Sequence, residues 1–282
     1  MRYVLDTNQV DALRKCRELT PKQKRNIRIV LPPRVWAEIA QGKYANERLQ
    51  SLTAYSIRFG FDVGDLSRRI GGLTAAQIEQ FEPLIPRESE QHAWLRRGLR
   101  LGAVPPIMQY ADGIKKDGTQ WETYTREKLS QMSKRNRDRE SRGEKINYVR
   151  NISNVNELID QHPDTWKQIL GWFFRQDEEN RVIASVCVNS FVDAVMRNEY
   201  IVRFAKLAWH FHLSFADAFA ERIRNVAPSR KFGLNDMTVG LYARSGDTIL
   251  TNDQNLAKAL RAIDPERHVR VATWSECVRE LI

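Results

Sequence analysis

Short apolar runs, each leading into a helix-patterned stretch, stand at both ends of this 282-residue chain and dictate the kind of sheet it can build. Arg2-Tyr3-Val4-Leu5 precedes a helical pattern through Val10, Leu13 and Cys16 that stops at Thr20-Pro21. Ile27 to Leu31 is a second such run, and Pro32-Pro33 after it suits a helix entry, where a missing backbone N–H costs nothing. Near the other end, the strand Thr248 to Asn252 precedes a helix from Gln254 to Arg261. A last strand, Val269 to Ala272, precedes the capping box Thr273-Trp274-Ser275-Glu276. Strands that alternate with helices form a mainly parallel sheet with helices on both faces, so the expected class is α/β in three layers, α/β/α.

Between these ends the pattern turns helical. Thr74 suits the start of a helix carrying Ile78 and Phe81, and Ser89 the start of one carrying Trp94 and Leu95. Asn154 with Glu157, and Ser214 with Asp217, have capping-box spacing. Ile169, Leu170, Trp172 and Phe173 precede a long helical pattern from Val182 to Met196, and Phe204, Leu207, Ala208 and Phe211 repeat at helical spacing. No strand alternation of comparable strength and no internal repeat is visible there. Residues 1–45 and 230–282 are thus expected to form two halves of one core. Residues 46–229 form a mainly helical insertion that completes it and supplies substrate surface. From Ser133 to Arg150 the chain is almost devoid of apolar residues before Ile146, which predicts a solvated helix or a mobile arm. Its Lys134, Arg135, Arg137 and Arg139 are candidate phosphate contacts.

Four acids occupy the places where such a sheet presents ligands, outside the carboxyl ends of its strands. Asp6 follows the first strand, Glu38 lies in the helix after the second, Asp236 opens a helix, and Asp253 ends the strand that begins at Thr248. Asn235 can cap the helix of Asp236, which should run to about Arg244 with Gly246 beyond it. Asp236, Gly240 and Ala243 share one stripe whose small residues would let that helix approach the sheet. Each acid also has an ordinary explanation. Asp6 and Asp253 are good N-caps, Asp236 suits the positive end of a helix, and most helical glutamates are simply solvated. Gathered in one cleft, however, they would repel each other unless a cation held them, and a set of oxygen ligands favours Mg²⁺ or Mn²⁺.

The strand ending in Asp6-Thr7-Asn8, the stretch Pro32-Pro33-Arg34-Val35-Trp36-Ala37-Glu38, and Leu234-Asn235-Asp236 with Gly240, Ala243 and Thr251-Asn252-Asp253 together resemble the motifs of PIN-domain nucleases. The likeness covers residues 1–45 and 230–282 and leaves the large insertion unexplained. It implies a PIN-like fold and a hydrolase with Asp6, Glu38, Asp236 and Asp253 as catalytic metal ligands; beside them, Asn8 and Thr251 carry neutral polar groups suited to orienting a carboxylate or a water. It also implies attack on a phosphodiester by a metal-activated water, leaving a 5′-phosphate and a 3′-hydroxyl. The substrate expected on this basis is RNA before DNA.

Composition agrees with a polyanionic partner, since the net charge is +10. Three scattered cysteines, Cys16, Cys187 and Cys277, speak against a disulfide framework or a zinc site. No run is apolar and long enough to span a bilayer, and a strand beginning at Arg2 leaves no room for a leader, so the expectation is a cytoplasmic chain without membrane contact. A second copy of the chain and an inhibitory protein are further partners left open. A phosphatase of haloacid-dehalogenase type would need an acid two residues after Asp6, where Asn8 stands. A binding protein that keeps the fold without the chemistry is the rival outside enzymes. His210 and His212 have poor spacing for a shared metal, Asp217 is better read as a cap partner, and Asp247 precedes its strand and so belongs at the far end of the sheet.

Overall fold

The computed structural model describes residues 2–62, 66, 69, 70, 72–143, 155–161, 163, 193–207, 210 and 234–282. Within the helices, the side chains at 121, 122, 124–126, 128–133, 135–137, 139, 140, 155, 158 and 234–237 are outside that description. Five parallel strands form its sheet. They are β1 (Arg2–Leu5), β2 (Arg28–Leu31), β3 (Ser56–Phe59), β4 (Thr248–Leu250) and β5 (Arg270–Ala272), in the spatial order β3-β2-β1-β4-β5. After β1 the helices α1 (Val10–Lys15) and α2 (Pro21–Asn26) lead to β2, then α3 (Pro33–Gln41) and α4 (Ala45–Leu52) lead to β3. The middle contributes α5 (Ala75–Glu79), α6 (Glu90–Leu101), α7 (Pro105–Ser141) and α8 (Val155–Gln161). The chain closes with α9 (Leu234–Leu241) before β4, α10 (Gln254–Ile263) after it, and α11 (Trp274–Leu281) after β5.

This order fixes where a ligand can bind. From β1 the chain moves one way through β2 to β3, and from β4 it moves the other way to β5. Right-handed crossovers place helices on opposite faces when the direction reverses, giving the α/β/α arrangement. The crevice between the two halves therefore opens at the carboxyl ends of β1 and β4. Those two strands pair from Tyr3↔Thr248 to Leu5↔Leu250, and the Asp6 N–H continues the ladder to the Leu250 carbonyl at 3.0 Å. Strand β1 is buried along its whole length, as the centre of a parallel sheet requires.

Several sequence expectations need correction. Strand β3 lies in the stretch read as helical. Its four residues alternate half-buried and buried, with only Ile57 and Phe59 inward, which is too short a pattern to separate from its helical surroundings. The sheet is therefore not closed by residues 1–45 and 230–282 alone. Helix α9 already includes Leu234 and Asn235, so Asn235 is not its cap, and it ends at Leu241 rather than near Arg244. Strand β4 stops at Leu250, short of Asn252. Gly240 does bring helices together, but not helix and sheet. A Cβ there would collide with Leu207 Cδ1 and lie 3.7 Å from Leu260 Cδ2, so α9 packs on the helical segment 199–207 and on α10.

Local signals elsewhere act as expected. The Thr74/Gln77 and Thr273/Glu276 boxes are formed, and Ser89 caps α6. Phe81 falls just beyond α5, and Trp94 is exposed. Asn154, Ser214, Asp217, His212, Cys187 and the helical patterns at 169–173, 182–192 and 208–211 lie outside the described residues, apart from His210, which is half-buried. No described helix is long and apolar enough to cross a membrane.

At the amino ends of the strands the seam is closed by charge. The buried Arg2 guanidinium donates Nε to Asp247 Oδ2 at 3.1 Å and Nη2 to the same oxygen at 2.7 Å. Arg2 Nη2 also donates to Tyr200 Oη at 2.8 Å, and Asp247 Oδ2 accepts from the Arg244 N–H at 3.0 Å. Removing Asp247 leaves the buried Arg2 charge facing, among the described residues, only the partly exposed Glu82 carboxylate, 3.6 Å from Nη1. Asp247→Asn should therefore lower stability by about 3 kcal/mol or more in urea unfolding, and Arg2→Met with Asp247→Leu should recover most of that loss. A single-variant loss under about 1 kcal/mol would class the pair with surface ion pairs.

Candidate functional site

The site is built where β1 ends. Asp6 is the N-cap of a 3₁₀ turn, Thr7–Gln9, because its extended backbone leaves the carboxylate free to accept the Thr7 N–H at 2.7 Å. The other carboxylate oxygen accepts the Asn8 side-chain amide at 2.5 Å and the Thr251 hydroxyl at 2.6 Å. Thr251 is buried just past β4, and its Oγ1 in turn accepts from the Asp253 N–H at 3.0 Å. Asn8 Oδ1 accepts from the Asn252 N–H at 3.1 Å and from Gln9 Nε2 at 3.0 Å. Buried Gln9 then accepts the Trp274 N–H at 2.8 Å, tying in the start of α11. One polar chain thus joins the carboxyl ends of β1, β4 and β5.

Two more acids face this chain. Glu38 is exposed on α3, and the Thr7 hydroxyl donates to its carboxylate. Asp253 caps α10 by accepting the Asn255 and Leu256 N–H groups on one oxygen, at 2.7 and 3.1 Å. Asp6 is the member most affected. Burial raises its proton affinity above the ordinary aspartate value, and the Glu38 and Asp253 charges push the same way. The bonds from Thr251 and Thr7 oppose the rise without cancelling it.

Asp236 is placed through its helix only: α9 packs against α10 and α7, and the Asp236 side chain lies outside the described residues. Among the described residues, no three His, Cys, Asp or Glu side chains stand close enough to hold a metal ion. The donor chemistry nonetheless suits a hard cation. One Asp253 oxygen and one Glu38 oxygen accept no hydrogen bond among the described residues, and both are carboxylates beside a third.

A groove of about 330 Å³ runs from Glu38 between α3 and α7 and carries Arg34 and Lys115 on its walls. Arg34 Nη1 reaches the Lys115 carbonyl at 3.4 Å over Gly118, where a Cβ would collide with the guanidinium. Of the residues named from the basic stretch, all four stand on the last turns of α7. Lys134 is exposed, while the side chains of Arg135, Arg137 and Arg139 are outside the described residues.

Sequence reasoning passed over Thr7 and Gln9. Both stand in the stretch already singled out, and a glutamine immediately after Asp-Thr-Asn on the buried side of a turn was the available signal. Asp247 sits at the opposite end of the sheet, as its position ahead of β4 required. Comparison with protein-family models, with curated proteins and with solved structures yields no match.

The Asp6 shift has a thermodynamic consequence. An acid whose proton affinity is higher folded than unfolded contributes stability below its unfolded pKa, and that contribution is lost as pH rises through the folded value. Charge on Asp6 is therefore destabilising at neutral pH when no cation is bound. We predict that metal-free Asp6→Asn melts no lower than the parent at pH 7, and that any advantage shrinks as pH falls through about 4. A large loss of melting temperature at pH 7 would mean that the hydrogen-bonded cap outweighs the buried charge.

Proposed function

We propose that this chain is a Mg²⁺- or Mn²⁺-dependent nuclease of PIN-like fold that hydrolyses phosphodiester bonds, with RNA as the substrate. What supports it most is the placement of a half-buried Asp6 at the crevice between β1 and β4, with Glu38 and Asp253 close enough to raise its proton affinity. Asp6, Glu38, Asp253 and Asp236 would hold the cation. Bound there, it supplies positive charge against the phosphoryl oxygens and a water of lowered pKa. Asn8 and Thr251 hold the Asp6 carboxylate in one orientation, and Thr7 does so for Glu38. Preset ligands lose less freedom when the cation arrives.

Arg34 and Lys115 would meet backbone phosphates in the groove beside Glu38, and the basic end of α7 would extend that surface. Such contacts position a strand without reading its sequence. One observation favours a second reading: protein donors already engage both Asp6 oxygens, as they would in a purely structural clamp. The chain would then bind nucleic acid without cutting it.

Labelled RNA and DNA panels incubated with Mg²⁺, Mn²⁺ or EDTA separate the two. The nuclease reading predicts metal-dependent cleavage of RNA that EDTA stops and that Asp6→Asn lowers by about 10² or more, a typical loss when charge stabilisation is removed. Binding without cleavage under every metal condition would leave the clamp reading standing.

A second measurement concerns the arm. Replacing Lys134, Arg135, Arg137 and Arg139 by Gln should weaken nucleic-acid binding without changing cleavage at saturating substrate. The log–log salt slope should fall by about one unit for each phosphate that is no longer neutralised. An unchanged slope and affinity would remove the arm from the nucleic-acid surface.

A further inference from the structure

At the other rim of the sheet, between the start of β3 and α6, lies a pocket of about 460 Å³ lined by Ser56, Ile57, Arg87, His92, Arg96 and Arg100 among others. His92, Arg96 and Arg100 are spaced four apart on α6, so they share one helical face, and Arg87 joins them from the turn before the helix. The three arginines are exposed and make no ion pair with any described residue. His92 is 3% exposed, yet its Nε2 is buried without a hydrogen-bond partner, while the ring is held edge-on to Phe59 at 5.2 Å. A buried polar atom without a partner costs free energy, and native structures rarely leave one without a reason.

We propose that this pocket binds a phosphate group, held by Arg87, Arg96 and Arg100 with His92 Nε2 as an additional hydrogen-bond partner. Guanidinium forks match the oxygens of phosphate, and an anion would relieve the mutual repulsion of the cations gathered there. The same charges act on His92: burial lowers its proton affinity, Arg96, Arg58 and Arg87 lower it further, and the Ile57 backbone opposes the fall without cancelling it. The volume is within the range that takes a nucleotide-sized ligand. The pocket lies at the amino end of β3, two strands from β1, hence about 10 Å sideways from the β1/β4 crevice and at the opposite end of the strands. One phosphate cannot occupy both places, and the assignment is independent of any nuclease activity. Its phosphate belongs either to a small phosphorylated molecule or to a nucleic-acid strand.

Calorimetric titration of the full chain in EDTA tests this with three probes: inorganic phosphate, adenosine 5′-monophosphate, and a single-stranded RNA dodecamer lacking terminal phosphate. The parent should bind at least one of them. The double variant Arg96→Gln, Arg100→Gln should bind that probe about tenfold or more weakly, as removal of charge-assisted hydrogen bonds implies. Arg97→Gln, on the same helix but outside the pocket, should bind like the parent, and melting curves should confirm that all variants remain folded. Weakening confined to phosphate and the mononucleotide identifies a small ligand, and weakening confined to RNA identifies a strand. Either result supports the pocket. No binding of any probe, or equal weakening by Arg97→Gln, overturns it.

Discussion

The pairing of β1 with β4 is the interaction on which the rest of this structure depends. It joins strands separated by nearly the whole chain, and only through it do the two short halves of the sheet become one five-stranded layer. Closing so long a loop adds only slowly to the entropic cost, because that cost grows with the logarithm of its length. The seam must still be specified, and the structure specifies it at both ends with polar groups. Arg2 and Asp247 close the amino rim, and Asp6, Asn8 and Thr251 close the carboxyl rim. Between them the strands are buried on both faces; Arg2, Asp247 and Thr251 are buried too and lack bulk water as a full alternative, whereas Asp6 is half-buried and Asn8 exposed.

The two rims have different consequences. At the amino rim opposite charges meet, and burial strengthens their dependence on each other. At the carboxyl rim a carboxylate meets neutral donors and two further carboxylates, so the hydrogen bonds from Thr251 and Thr7 offset the cost of burying the Asp6 charge only in part. That asymmetry is what makes the carboxyl end of the β1/β4 seam a candidate for chemistry and its amino end, at Arg2 and Asp247, a candidate for stability. The helices extend the contrast. α3 carries Glu38 to the rim on a face otherwise packed through Val35, Trp36 and Ile39, and the edge-on contact of Trp36 with Tyr110 at 5.5 Å fixes α7 alongside it. The groove with Arg34 and Lys115 follows from that packing.

Much of this frame was legible in the residues because it rests on local rules. β1, β2, β4 and β5 are apolar runs with strong turn or cap signals after them, and the caps at Thr74, Ser89, Asp253 and Thr273 bond their own helices. What was not legible depends on partners far away in sequence. β3 is an edge strand with two inward residues, recognisable only once β2 lies beside it. Gly240 gave the right signal for close approach but not its object, because Leu207 belongs to a different segment. Gly60 is similar: its missing side chain admits the ring of Tyr242, whose hydroxyl donates to the Phe61 carbonyl at 2.6 Å. The acids at strand ends were readable from position, whereas the roles of Thr7 and Gln9 needed the turn's geometry.

The central claim is that the carboxyl rim holds unbalanced negative charge suited to a divalent cation. It is tested most directly by following the Asp6 side-chain carboxyl ¹³C resonance against pH, first without divalent ions and then with Mg²⁺. The account predicts a metal-free midpoint above the ordinary aspartate value of about 3.9 and a clear fall when Mg²⁺ is added. A midpoint at or below that value, unmoved by Mg²⁺, would contradict it.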